Sequence, residues 1–268
     1  MPLAVCATPI GNLADVTLRV LDELREAELV LCEDTRHARI LLERHGIEAR
    51  LASYHRHNEA ARTAELLPRL VGGERIALIS DAGLPGVNDP GARLVAAALD
   101  AGVRVTVLPG PSAVETALVA SGLVSERYQF VGYLPRGENA LRRLFEELRA
   151  WPYSVVAFEA PHRLATSLRV LADVAPERRL AVCRELTKRF EEVVLGRAAD
   201  LAPRFAQGAR GEITLVLGSS PTQDEETIAE ASAAIGELVR AGAPRRTAVD
   251  VVARLSGAPR KRLYDESL

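Results

Sequence analysis

The sequence predicts an α/β protein made of two sheet-containing units followed by a small helical extension. Three observations carry that prediction. Short apolar runs alternate with segments of helical spacing from residue 3 to about residue 217. Loops rich in glycine and proline recur where the apolar runs stop. A polar stretch at 218–224 then leads into sequence with helical periodicity alone. Strands alternating with helices imply a parallel sheet covered on both faces.

In order, residues 3–7, 29–32, 75–79 and 103–108 read as strands of the first unit, with helices at 18–27, 36–44, 60–70 and 92–101. Gly46 and Gly102 stop two of these helices. In the second unit, residues 128–133 and 154–158 read as strands around a helix at 139–149, with later strands at 180–184 and 212–217 and a poorly alternating one at 191–195. The boundary falls between Gly122 and Arg136, giving units at 1–122 and 123–220 and an extension at 221–268. The extension reads as helices at 228–240, 246–255 and 260–268, broken by Gly242, Pro244 and the Gly257-Ala258-Pro259 turn. Between Val239 and Leu268 it holds seven basic residues against three acidic ones, which suits either a solvated helical cap or an RNA-touching appendage.

A length of 268 residues is enough for about two domains. An apolar content of 48% and a charged content of 26% are ordinary for globular protein. No apolar run approaches the length of a membrane span, and the start lacks the charged-then-apolar pattern of a secretory signal. Cys6, Cys32 and Cys183 are isolated and odd in number, which fits neither a disulfide framework nor a zinc site and points to a reducing cytoplasm. A net charge of −2 argues against wholesale wrapping by nucleic acid while leaving room for a local basic patch.

The most informative stretch runs from Ile76 to Gly91, where an apolar run breaks into a loop with Gly or Pro at five of nine positions from Gly83 to Gly91. Glycines there let backbone approach a ligand and prolines stiffen the loop. Asp81 and Asp89 add carboxylates able to hold an amine or ribose hydroxyls. In open α/β sheets, ligands bind just outside the carboxyl ends of strands. Other loops at predicted strand ends carry Thr8-Pro9-Ile10-Gly11-Asn12-Leu13, Glu33-Asp34-Thr35-Arg36, Pro109-Gly110-Pro111-Ser112-Ala113, Glu159-Ala160-Pro161-His162-Arg163 and Arg184-Glu185-Leu186-Thr187-Lys188. Asp34 or Thr35, Asn58 and Ser112 are candidate helix N-caps. His55 and His57 alternate in a loop without a third spaced ligand, so polar surface or capping roles outweigh a metal. A G-x-G-x-x-G or Walker spacing is absent, and no serine sits in a nucleophile context.

Taken together and in this order, TPIGNL (8–13), EDTR (33–36), HNE (57–59), SDAG (80–83), NDPG (88–91), PGPSA (109–113), EAPHR (159–163) and RELTK (184–188) resemble the tetrapyrrole methylase superfamily, most closely its bacterial ribosomal RNA branch. The resemblance covers the chain to about residue 217, and the helical tail resembles that branch's extension. Two departures stand out: Leu84-Pro85-Gly86 where the family commonly has Thr-Pro-Leu, and Arg210-Gly211-Glu212 where it has Lys-Gly-Glu.

The resemblance implies two α/β domains of tetrapyrrole-methylase type with S-adenosylmethionine in the cleft between them, no metal, and usually a homodimer. It also implies 2′-O-methylation of a cytidine ribose in the decoding region of 16S rRNA, within the 30S subunit. By the family's pattern the donor would lie against Pro9, Gly11, Asp81, Ala82, Gly83, Leu84, Ser112 and Ala113, with Glu159 and Thr187 approaching from the second domain. Candidates for the group that takes the ribose proton are Lys188 with a lowered pKa, Glu33, Glu159 and His162, with Lys188 favoured as orienter or base. Arg36, Arg163 and Arg184 are expected at RNA phosphates. The competing readings are a porphyrin or corrin C-methyltransferase on the same fold and a non-catalytic RNA-binding assembly factor.

Overall fold

A computed structural model describes residues 2–220 and 223–266. In the first sheet, β1 (Leu3–Cys6), β2 (Leu29–Cys32), β3 (Leu51–Ser53), β4 (Ile76–Ile79) and β5 (Val105–Leu108) pair in the order β3-β2-β4-β1-β5. Every pairing is parallel, and Leu3 sits opposite both Ile76 and Val105. The central strands LAVC, LVLC and IALI are buried throughout, as strands covered on both faces must be. Successive side chains point to opposite faces. Ala4 and Cys6 pack toward α1 (Leu18–Glu26) and α2 (Thr35–Arg44), whereas Leu3 and Val5 pack toward α3 (Glu59–Val71) and α4 (Ala92–Asp100).

The chain leaves β1 toward β2 on one side and leaves β4 toward β5 on the other, so strand order reverses at the β1–β4 pair. The loops that follow β1 and β4 therefore meet at the crevice where α/β sheets bind ligands.

The second sheet is mixed. Strands β6 (Tyr128–Tyr133), β7 (Ser154–Glu159), β8 (Arg179–Arg184), β9 (Glu192–Arg197) and β10 (Ile213–Leu217) pair in the order β6-β7-β10-β8-β9, and only β6–β7 is parallel. One face packs on α6 (Glu138–Arg149) and α7 (Leu164–Val174) through Val155, Val182 and Leu215. The other face takes α5 (Ala113–Ala120), whose Val114, Ala117 and Leu118 meet Val156, Ala181, Cys183 and Val216. Although α5 follows the last strand of the first sheet, it packs on the second.

Several elements escaped the sequence reading, among them the one-turn helix α8 (Ala198–Leu201). Strand β3 is a three-residue edge strand, too short to alternate legibly. Helix α7 carries buried Leu164, Leu168 and Leu171 at helical spacing, a signal present in the sequence but overlooked beside the polar EAPHR motif. The extension folds as α9 (Gln223–Arg240), α10 (Arg245–Ser256) and α11 (Arg260–Glu266) around its own core of Ile228, Ile235, Val249, Val252 and Leu263. Ser267 and Leu268, expected to end the last helix, lie outside the described residues.

One buried cation ties the second domain together. Arg178, 3% exposed, donates to the carbonyls of Gly218 (2.8 Å), Leu148 (2.5 Å), Trp151 (3.3 Å) and Tyr153 (3.0 Å). Burial pulls its pKa down to about 10, which still leaves it charged at neutral pH. Arg178→Met leaves these acceptors without that donor and is expected to cost about 3 kcal/mol. That corresponds to a fall in Tm on the order of 10 °C, read by thermal denaturation; an unchanged Tm would show that the carbonyls find other partners.

Candidate active site

The loops after β1 and β4 are joined by a two-way backbone bridge: Thr8 N–H donates to Gly83 O (2.8 Å) and Gly83 N–H to Thr8 O (3.1 Å). The buried Thr8 hydroxyl donates to Ser80 O (3.0 Å), and Ser80 Oγ donates to Gly83 O (3.1 Å). With these loops held, a cleft of about 840 Å³ opens between the two sheets. That size is ordinary for a small-molecule site.

The first domain supplies Ile10, Glu33, Asp81, Ala82, Gly83, Leu84, Asn88 and Asp89, and the turn into α5 adds Ser112 and Ala113. The second domain supplies Phe130, Tyr133, Phe158, Glu212 and Thr214. Phe158 stands edge-on to Phe130 (5.0 Å between ring centres) and to Tyr133 (5.5 Å), making an aromatic wall. Ser112 occupies the N-cap position, but its hydroxyl bonds Glu115 rather than backbone. The first turn of α5, whose N–H groups have no intrahelical partner, thus forms part of the wall.

The two domains also meet at the cleft mouth. Asn88 holds φ +64° and Gly132, in the bulge of β6, holds φ +70°. A Cβ on Gly132 would lie 3.0 Å from Asn88 Oδ1, so only glycine lets β6 come this near the NDPG loop.

The cleft is acidic. Glu33, Asp81, Asp89, Glu115, Glu159 and Glu212 line it, and no Lys, Arg or His does among the described residues. Burial, reinforced by the charges of Asp89 and Asp81, pushes the Glu33 carboxyl from its ordinary 4.5 up to about 7. Burial likewise lifts Asp89 to about 6, against the opposing pull of Arg56. The Tyr133 phenol is raised by burial and by Glu212 and Asp89. Asp81 accepts from Asp34 N–H (3.3 Å), and one of its oxygens lies 3.3 Å from His37 Nδ1, so the EDTR helix start orients it.

Arg56 was missed in the sequence, where the HRHNE stretch drew attention to its histidines. Its guanidinium hydrogen-bonds Asn88 O and stands within electrostatic range of Glu33 and Asp89. Asn58 precedes α3 as expected, but its side chain accepts from His55 N–H (2.8 Å) instead of capping the helix. Asp34 does cap α2, through Arg36 N–H.

Several expected site residues lie outside the cleft lining. Pro9, Gly11 and Thr187 do not line the cleft; Ile10 does. Gly11 instead faces the RELTK loop, where a Cβ would fall 2.5 Å from Lys188 Cγ and 2.8 Å from Thr187 Oγ1. Thr187 Oγ1 accepts from Asn12 N–H (3.0 Å), so these residues clasp the two domains.

Lys188 does not have the lowered pKa expected of a base. Burial pulls its pKa down, but Glu212 Oε2 (2.9 Å) and Glu185 Oε1 (3.0 Å) outweigh it, and the net shift is upward. An ammonium held by two carboxylates keeps its proton. The Glu159 carboxylate, fully buried, accepts from Ala160 N–H (2.7 Å), Arg163 (3.0 Å) and Ser167. Arg163 also donates to Leu134 O (2.9 Å) and Pro135 O (2.7 Å), so its guanidinium is engaged within its own domain. Arg184 pairs with Glu192 (3.0 Å) and is largely buried. Arg36 pairs with Asp34, yet its side chain remains 85% exposed. His162 is exposed and outside the cleft lining. Among the described residues, no cluster of metal-ligating side chains occurs.

Residues 2–202 match the tetrapyrrole (corrin/porphyrin) methylases. The chain is 45% identical to the ribosomal RNA small subunit methyltransferase I of Micromonospora olivasterospora, over 98% of this chain and 85% of that protein. It is 43% identical to the protein of the same name from Mesorhizobium japonicum, over 98% and 90%. Of solved structures, uroporphyrin-III-C-methyltransferase from Thermus thermophilus superposes with a TM-score of 0.57 at 25% identity, covering 81% of this chain and 93% of that one. The methyltransferase CobJ shares the fold at a TM-score of 0.63 and 20% identity, covering 82% and 95%. Two α/β layers meeting at an interdomain cleft, with this likeness along nearly the whole chain, place the protein in the tetrapyrrole (corrin/porphyrin) methylase family.

Proposed function

We propose that this protein transfers the methyl group of S-adenosylmethionine to the ribose 2′-hydroxyl of a cytidine in the decoding region of 16S rRNA, presented by the 30S subunit. The full-length likeness to ribosomal RNA small subunit methyltransferases supports an RNA substrate. The single structural observation that carries the reading is the acidic lining of the cleft. A porphyrin or corrin precursor, ringed with carboxylate arms, would meet the like charges of Asp81, Asp89 and Glu212 without a lining cation to offset them. A nucleoside is neutral and a sulfonium is positive, so both suit such walls. RNA phosphates belong at the mouth, where exposed Arg56 and Arg36 stand.

The residues present fit the donor. The open first turn of α5 suits its carboxylate, the aromatic wall its adenine, and Asp81 its amine or ribose hydroxyls. When bound, S-adenosylmethionine supplies a methyl group already activated on positive sulfur. The chain's own residues then need only hold the acceptor oxygen in line and remove its proton. Glu33, at about pKa 7, is poised near neutral pH to accept that proton at a carboxylate oxygen, and Asp89 and Asp81 hold its affinity there. Lys188 acts behind the wall as a positioning residue, orienting Glu212. The reading also makes the protein cytoplasmic and homodimeric.

Two outcomes follow from the cleft. Asp81→Ala is expected to weaken S-adenosylmethionine binding at least about tenfold, or 1.4 kcal/mol, in calorimetry; unaltered affinity would remove Asp81 from the donor site. Glu33→Gln is expected to lower kcat about 100-fold at saturating substrates. The wild-type rate should rise with pH and level off above about 7, because only the ionised carboxylate accepts a proton. The sign for stability is opposite. A carboxyl whose pKa is raised in the folded state binds more protons there than in the unfolded chain, so stability is lost as pH climbs from about 4.5 to about 7. Glu33→Gln should therefore raise Tm at pH 8 relative to wild type more than it does at pH 5. Equal kcat in the variant would exclude Glu33 as the base.

A further inference from the structure

The C-terminal helices lie outside the matched family region, which ends at residue 202, and outside the cleft. The rRNA methyltransferase relatives match over 98% of the chain, whereas the two solved methyltransferase structures cover 81–82%, about the share of the two sheet domains. The helical unit is thus what accompanies likeness to the RNA enzymes. It needs no support from the sheets for its core, which α9, α10 and α11 build among themselves.

Three exposed cations gather around the α10–α11 joint. Helix α10 buries Ala248, Val249 and Val252, leaving Arg246, Asp250 and Arg254 exposed at four-residue spacing on one face. Arg260, at the start of α11, pairs with Asp250, which docks that end of α11 against the middle of this row. Arg246 and Arg254 therefore flank the joint, with Lys261 next to it in α11. All three are exposed, and none forms an ion pair among the described residues. Leu255, 78% exposed, sits beside them. A cap whose only task was solubility would not need to leave its cations unpaired on one face while the chain as a whole carries a net charge of −2.

We propose that the α10–α11 face is an RNA-backbone-binding surface that holds 16S rRNA away from the target nucleotide, through Arg246, Arg254 and Lys261. This rests on the rRNA reading given above. The acidic cleft admits the nucleoside but repels phosphate, so affinity for RNA must come from surfaces outside it, and this unit supplies one.

The test uses the full-length chain carrying Arg246→Gln, Arg254→Gln and Lys261→Gln together, with Tm and S-adenosylmethionine affinity measured alongside. The expected result is a rise of about tenfold or more in KM for 30S subunits and in Kd for protein-free 16S rRNA. The kcat at saturating RNA should hold and donor affinity should be unchanged. The salt dependence of RNA binding should flatten by about 0.7–0.9 in log–log slope for each phosphate that the variant no longer neutralises. Unchanged affinity and slope in the folded variant would overturn the proposal, as would weakened binding to 30S subunits with unchanged binding to protein-free rRNA, which would point to a ribosomal protein. Failure of wild type to bind or methylate either RNA would instead sink the functional reading itself.

Discussion

The site depends on one helix belonging to two layers. Strand β5 closes the first sheet, and the PGPS turn sends α5 directly onto the second, where Val114, Ala117 and Leu118 are buried against β7, β8 and β10. The first turn of α5 therefore stands at the seam, and the cleft takes walls from both sheets. The Asn12–Thr187 hydrogen bond and the close approach of Gly11 to Lys188 close the seam on one side, and Asn88 against Gly132 closes it on another. Gly11 and Thr187 thus stand at the seam where the two domains approach each other.

That arrangement gathers carboxyl groups that would otherwise stay apart. Glu33 comes from the end of β2, Asp81 from the end of β4 and Asp89 from the loop beyond it, and all reach one partly buried volume. Burial disfavours the charged form of Glu33 and Asp89 and neighbouring carboxylates add to it, so both rise, while Asp34, paired with Arg36 at the surface, falls well below the usual carboxylate range. The stability lost by gathering acids is the kind of strain that concentrates at functional sites. Asn88, Glu185 and Thr187, the three non-glycine residues at positive φ among those described, all lie in the loops around this cleft.

Much of this was legible in the sequence. Unbroken apolar runs such as IALI identify buried parallel strands without any knowledge of their neighbours, and glycine- and proline-rich loops mark the strand ends that face the ligand. The loop motifs, taken as a set, carried the family. Partnership was not legible. Whether Lys188 is a base or a strut depends on Glu185 and Glu212 lying within 3.0 Å, and Glu212 is 24 positions away in the chain. The two backbone carbonyls that engage Arg163 lie 28 and 29 residues earlier in the chain. Arg56 stood unnoticed between two histidines for the same reason: its effect on Glu33 and Asp89 is set by tertiary distance.

On the proposed function, the acidic cleft selects a nucleoside on RNA over a carboxylate-rimmed ring. That selection is tested most directly by offering the protein methyl-labelled S-adenosylmethionine with 30S subunits and with uroporphyrinogen, side by side. The account predicts label in the 16S rRNA, released by nuclease digestion as a 2′-O-methylcytidine, and none in the tetrapyrrole. Label on the tetrapyrrole with the RNA left unlabelled would contradict it.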